Sequence, residues 1–134
     1  MKSRGWQILL KHNRCVLLID SFLEWSDEEL LAGRPKMVGR FGMTCGRLMP
    51  VAGICSTTYT PVGPVQTCSV VTCEPNEMLE GLPHHRMPAI LQGDDLRAWL
   101  DPLAEHPENA LHATASVEME ARIVPAKQMR ELVR

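Results

Sequence analysis

A chain of 134 residues with 45% hydrophobic content fits one globular domain with a modest core, and 4% aromatic content leaves that core to Leu, Val, Ile and Met. A net charge of −2 excludes a general electrostatic drive toward nucleic acid. The longest apolar runs, such as residues 48–55, are too short to span a membrane, and Lys11 cuts off the opening apolar stretch before it resembles a signal peptide, so the expected compartment is the cytoplasm.

Residues 6–12 read as the tail of a helix, and residues 14–25 (RCVLLIDSFLEW), rich in β-formers, as one long and largely buried strand. Residues 26–31 form an acidic capping-type turn or short helix, stopped by Gly33 and Pro35. Strands follow over 36–41 and 48–55, with Gly42 and Gly46 between them. The Thr, Pro and Gly content of residues 56–64 predicts a loop, and residues 65–73 (VQTCSVVTC) a strand. Residues 75–80 supply one helical turn. Pro83 and Pro88 bracket an extended HHRM segment that runs into a strand at 89–91.

Asp94 and Asp95 precede Leu96, Trp99 and Leu100, which predicts a short amphipathic helix over 94–100 with acids at its positive end. Residues 101–109 read as loop and 116–124 as a last strand. The expected fold class is therefore α+β, β-dominated with short peripheral helices, in a single domain over residues 1–134 without internal repeats.

Charge is unevenly distributed. Residues 1–73 balance at +3 and residues 74–134 at −5, and Arg34, Lys36, Arg40 and Arg47 fall in a stretch free of acids between Glu29 and Glu74. One basic face of this kind suits a phosphate backbone, although charge alone favours four separate solvated side chains. The five cysteines form no CxxC pair and read as small buried hydrophobes in a reducing compartment. Cys68 and Cys73, an odd number of residues apart on one predicted strand, would face opposite ways and make a poor metal pair.

Three blocks resemble, in order and spacing, the SOS response-associated peptidase (SRAP) family, whose members process abasic sites in single-stranded DNA. RCVLLIDSFLEW is similar to the family's Arg-Cys strand ending in Gly-Phe-Tyr-Glu-Trp, and PVAGICS (residues 50–56) to its Phe-Ala-Gly-Leu-Trp strand. Residues 66–102 carry a Thr-Cys strand, a Glu-x-Asn turn and HHRMPAIL, similar to the family's His-x-Arg-Met-Pro-x-Ile-Leu.

The resemblance implies that Glu24 is a general acid/base and that His84 assists sugar ring opening and crosslink reversal. It also implies that Arg86 holds a phosphate and Trp25 stacks on an exposed base. Beside Trp25 the Glu24 carboxyl would be partly desolvated. Simpler readings stand next to these. A strand-end Glu usually faces water, Arg86 could be a structural ion pair, His85 fills the variable position, and Trp99 reads as core. The expected partner is single-stranded DNA with abasic sites, bound by a monomer that needs no cofactor, metal or membrane.

One departure matters. The family begins Met-Cys-Gly-Arg, and its exposed N-terminal cysteine joins an amine and a thiol to the sugar aldehyde. This sequence begins Met1-Lys2-Ser3-Arg4, and Cys45 within Thr44-Cys45-Gly46-Arg47 is internal, with its nitrogen in a peptide bond. The expectation is an N-terminally truncated relative with an impaired covalent step. The alternatives are a non-catalytic single-stranded DNA binder and a decayed remnant with an open core. Glu24 and His84 without a nucleophile or metal motif do not make a protease.

Overall fold

The computed structural model describes residues 3–26, 33–82, 86–115 and 118–133. Helix α1 (Arg4–His12) is capped by Ser3, whose hydroxyl accepts from the Trp6 N–H at 3.3 Å. The strands are β1 (Arg14–Ile19), β2 (Ser21–Trp25), β3 (Met37–Met43), β4 (Met49–Thr60), β5 (Gly63–Val70), β6 (Thr72–Cys73), β7 (Met87–Pro88) and β8 (Met119–Pro125), with helix α2 (Asp94–Leu100) between β7 and β8. The fold is β-dominated α+β with short helices, as its sequence predicts.

Two antiparallel sheets, ordered β1-β4-β5 and β2-β3-β8, are joined through a bent ribbon. The predicted strand over 14–25 breaks at Asp20 into two strands that belong to different sheets. Ile19 opposes Met49 while Ser21 opposes Gly42, so Asp20 alone faces residues 43–48. That length mismatch bends the ribbon. On its long side, Cys45 and Gly46 both adopt positive φ (66° and 67°) in a one-turn 3₁₀ helix. The strand is also half-buried rather than buried, because each sheet covers only one of its faces fully.

The predicted loop at 56–64 is instead the tip of a hairpin. Strand β4 continues to Thr60, and Thr60 opposes Gly63 across a two-residue turn at Pro61 and Val62. Thr57, Thr58 and Tyr59 are good strand formers, and Pro64 is tolerated because β5 is an edge strand that need not donate there. The predicted strand over 65–73 is interrupted at Val71, with Cys68 on β5 and Cys73 on β6. The β6-β7 pair joins the side of β4: the Ala52 N–H donates to the Ala89 carbonyl (2.9 Å) and the Val71 N–H to the Ala52 carbonyl (2.8 Å). The predicted turn at 26–31 lies outside the described residues apart from Ser26.

Both helices close on the main core through Arg14. Its guanidinium donates to the carbonyls of Leu10 (2.7 Å) and Lys11 (3.0 Å) at the end of α1, and to those of Trp99 (2.6 Å) and Asp101 at the end of α2. One cation thus satisfies carbonyls at two helix C-termini, where the helix dipoles also favour positive charge. Trp99 is fully buried, as its sequence context predicts, and its indole N–H donates to the Cys15 carbonyl (2.8 Å).

Candidate functional site

Glu24 and Trp25 are adjacent in sequence but project from opposite faces of β2, because side chains alternate along a strand. Glu24 opposes Gly39, two residues from the Phe22–Phe41 pair, whose rings stack at 5.3 Å. The face of Glu24 is therefore that of Phe22, Phe41 and Ile123, which turns toward the main core. A Cβ at Gly39 would stand 2.6 Å from the Phe41 ring, so only glycine leaves that ring its place beside Glu24. The half-buried Glu24 thus shares an apolar face with two phenylalanines, and the expected shielding by Trp25 does not arise.

Trp25 lies on the other face, 38% exposed, with the Lys36 ammonium 5.9 Å from its ring centroid. Ser26 fixes the strand end beneath this pair. It is 3% exposed; its N–H donates to the Met37 carbonyl (3.0 Å) and its hydroxyl accepts from the Met37 N–H (2.9 Å). The ring, the ammonium over it and the clasp make a part-exposed aromatic platform that carries a cation.

Arg86 sits elsewhere, just before β7. Its Nε donates to the Thr72 hydroxyl (2.7 Å) and its Nη2 to the Thr72 carbonyl (2.6 Å), which orients the guanidinium along the mouth of a cleft of about 670 Å³. Trp6, Glu74 and His112 also line that cleft. Buried Cys73 lies at its floor, its thiol pushed up by burial with Arg86 opposing the shift, so it is a poor nucleophile. His84, the other expected catalytic residue, and His85 lie outside the described residues.

Among the described residues, the indole N–H of Trp6 is buried without a hydrogen-bond partner. Such an orphan donor costs about 1–3 kcal/mol. Trp6→Phe is therefore expected to leave stability unchanged or raise it by up to about 1 kcal/mol, since it removes the donor and keeps most of the ring. A urea unfolding midpoint checks this, and a clear loss of stability would mean that packing at Trp6 outweighs the orphan donor.

Two members of the basic stretch share the face of Trp25: Arg40 opposes Leu23 on that face, and the Lys36 ammonium lies over the Trp25 ring. Lys36 and Arg47 flank β3 at opposite ends, roughly 20 Å or more apart for a strand of that length. Arg40 between them donates to the Ser21 hydroxyl (3.0 Å) and the Leu132 carbonyl (3.3 Å). Among the described residues, no group of three or more His, Cys, Asp and Glu side chains stands where it could hold a metal ion, and no helix is long and apolar enough to cross a membrane.

Comparison with known proteins places this architecture. The sequence profile of the SOS response associated peptidase (SRAP) family matches residues 1–130. The chain belongs to the SRAP family. It is 35% identical over 100 residues to the abasic site processing protein YoqW of Bacillus subtilis, which covers 74% of this chain and 43% of that protein. It is 34% identical to the abasic site processing protein HMCES of Gallus gallus, over 69% of this chain and 32% of that one. The chain spans less than half the length of these curated relatives.

A crystal structure of a Bacteroides thetaiotaomicron protein shares the fold with a TM-score of 0.80 at 21% identity, covering 96% of this chain and 56% of that one. A Bordetella bronchiseptica structure follows with a TM-score of 0.72 at 17% identity, over 88% of this chain and 58% of that one.

Within this SRAP chain, the Glu-x-Asn turn is a structural clasp. Asn76 caps the 3₁₀ helix Glu77–Gly81 by accepting from the Met78 N–H (3.1 Å), and it donates to the Thr114 carbonyl (2.9 Å). Sequence reasoning missed Lys36 as the partner of Trp25 and Thr72 as the anchor of Arg86. Neither pairing has a local signal, since each joins residues eleven or more positions apart.

Proposed function

We propose that this chain acts on abasic sites in single-stranded DNA as a monomer in the cytoplasm. Glu24 serves as the acid/base, Trp25 as a base-stacking platform, Arg86 as a phosphate contact, and His84 as the group that assists sugar ring opening. What carries the reading is the match of residues 1–130 to a family whose named relatives are abasic site processing proteins. The geometry bears on two of these roles. Glu24 is half-buried on the face of Phe22 and Phe41, and Trp25 presents a part-exposed ring with a cation over it.

Capture of the sugar aldehyde as a thiazolidine needs an amine and a thiol on the same residue. The amine forms an imine with loss of water, and the thiol then adds to the imine carbon. Cys15, Cys45, Cys55, Cys68 and Cys73 all carry peptide-bonded nitrogens and cannot supply that amine. The test incubates single-stranded DNA bearing one abasic site with this chain and with a form extended by an N-terminal Cys-Gly-Arg segment from a full-length relative, followed by denaturing electrophoresis. An adduct in the extended chain only is the expected result. Folded protein that gives no adduct in either form would sink the enzyme reading and leave the non-catalytic binder.

The exposed Trp25 ring and the Lys36 ammonium over it make a separate prediction. Trp25→Ala is expected to weaken binding to single-stranded DNA by about 1–3 kcal/mol across sequences, the worth of one stacked base. Lys36→Gln is expected to lower the salt slope of that binding by about one phosphate contact. Fluorescence anisotropy over a salt series reads both. Unchanged affinity in Trp25→Ala would remove the platform from the binding surface.

A further inference from the structure

Three of the five cysteines come together on one sheet, each from a different strand. Cys55 on β4 directly opposes Cys68 on β5, and Cys15 on β1 opposes Gly53, two residues before Cys55. Opposed residues in an antiparallel pair project to the same face, so all three thiols share it. Gly53 makes room for the third: a Cβ there would stand 2.8 Å from the Cys15 sulfur. None of the three is fully buried, and Cys68 is exposed.

The hydrogen-bond pattern separates the possible partners. The Cys55 N–H donates to the Asn13 carbonyl (2.8 Å), toward β1 and away from β5. Cys55 and Cys68 are therefore a non-hydrogen-bonded pair, the kind whose Cα atoms lie about 4.5 Å apart with side chains closest. That spacing is inside the window a disulfide requires, whereas the diagonal from Cys15 to Cys55, at about 7–8 Å, is outside it. The Cys15 thiol is pushed up to about 12, by burial first and then by a hydrogen bond to Cys55 and the neighbouring sulfurs of Cys55 and Cys68.

We propose that Cys55 and Cys68 are a dithiol that closes to an intrachain disulfide when the protein meets a two-electron oxidant of the peroxide class. The exposed Cys68 thiolate attacks one peroxide oxygen and becomes a sulfenic acid, while the departing hydroxide takes a proton to form water. The Cys55 thiolate then attacks the Cys68 sulfur and expels the second oxygen as water. Two thiols and one hydrogen peroxide give one disulfide and two waters. The bond clasps β5, an edge strand exposed along its length, to β4, and closes the hairpin whose turn lies at Pro61 and Val62. Cross-linking a loop of this size restricts the unfolded chain, so the oxidised form gains thermal stability.

The test treats the reduced chain with one equivalent of hydrogen peroxide, blocks the remaining thiols, and cleaves after Tyr59 with chymotrypsin under non-reducing conditions. The expected result is a fragment pair joined through Cys55 and Cys68, three blockable thiols in place of five, and a melting temperature raised by about 5 °C or more. Cys68→Ser, an exposed and conservative change, should abolish the crosslink and the melting shift, while Cys15→Ser and Cys45→Ser should leave both. A crosslink through Cys15 or Cys73, dimers through exposed Cys45, or sulfinic acid without any crosslink would each overturn the proposal.

Discussion

Trp99→Ala is expected to lower the unfolding free energy by about 3–5 kcal/mol, the usual cost of emptying a large aromatic site in a packed core. Trp99 has no exposed surface, and its neighbours are held from several directions. Its indole N–H bonds the Cys15 carbonyl at 2.8 Å, and the Arg14 guanidinium lies 5.8 Å from its ring centroid. Arg14 also ties down the last turns of both helices, so the cavity cannot collapse without loosening α1, α2 and β1 together.

A small domain holds only about 5–15 kcal/mol in all, so this loss removes a large share of its stability. Trp99→Phe keeps most of the volume and loses the indole bond, with an expected cost of about 1–3 kcal/mol. Equilibrium urea unfolding of the two variants gives both numbers. A loss below about 1 kcal/mol in Trp99→Ala would mean that α2 adds little to the cooperative unit.

Glu24→Gln is expected to slow abasic-site processing by the Cys-Gly-Arg-extended chain by about 10²–10⁴-fold, the range that a positioned acid/base contributes. Glutamine keeps the size and polarity of the side chain and removes its capacity to exchange a proton. Glu24 stands opposite Gly39 on the face of Phe22 and Phe41, and substitution by an isostere leaves that packing alone. Binding of intact single-stranded DNA should not change, because Trp25 and Lys36 occupy the other face of the sheet. Single-turnover adduct formation measured across pH tests the role. A rate within threefold of the parent, with the same pH profile, would make Glu24 structural.

Local sequence determined a good deal of this protein. The α2 helix follows from two acids ahead of an apolar stripe, with Trp99 as its buried residue, and β3 and β8 lie close to the runs that predict them. Family membership was legible in blocks such as HHRMPAIL, whose residue order does not depend on how the chain folds back.

What the sequence could not decide is where one run of β-formers changes partner. Residues 14–25 give no local sign that Asp20 divides two sheets, because the division is set by the six residues that oppose it on the returning strand. Periodicity likewise shows that Glu24 and Trp25 alternate, but only the packed sheets assign one to the core face and the other to Lys36.

The cysteines make the same point. Reading residues 56–64 as a loop hid the hairpin, and without its register Cys55 and Cys68 were two unrelated small hydrophobes. Cys73 is buried as expected, whereas Cys45 and Cys68 are exposed. Strand register is a long-range property, fixed by which faces find a core and by the turn that joins the strands. The elements came from neighbouring residues, and the pairings that give the site and the dithiol came from the tertiary fold.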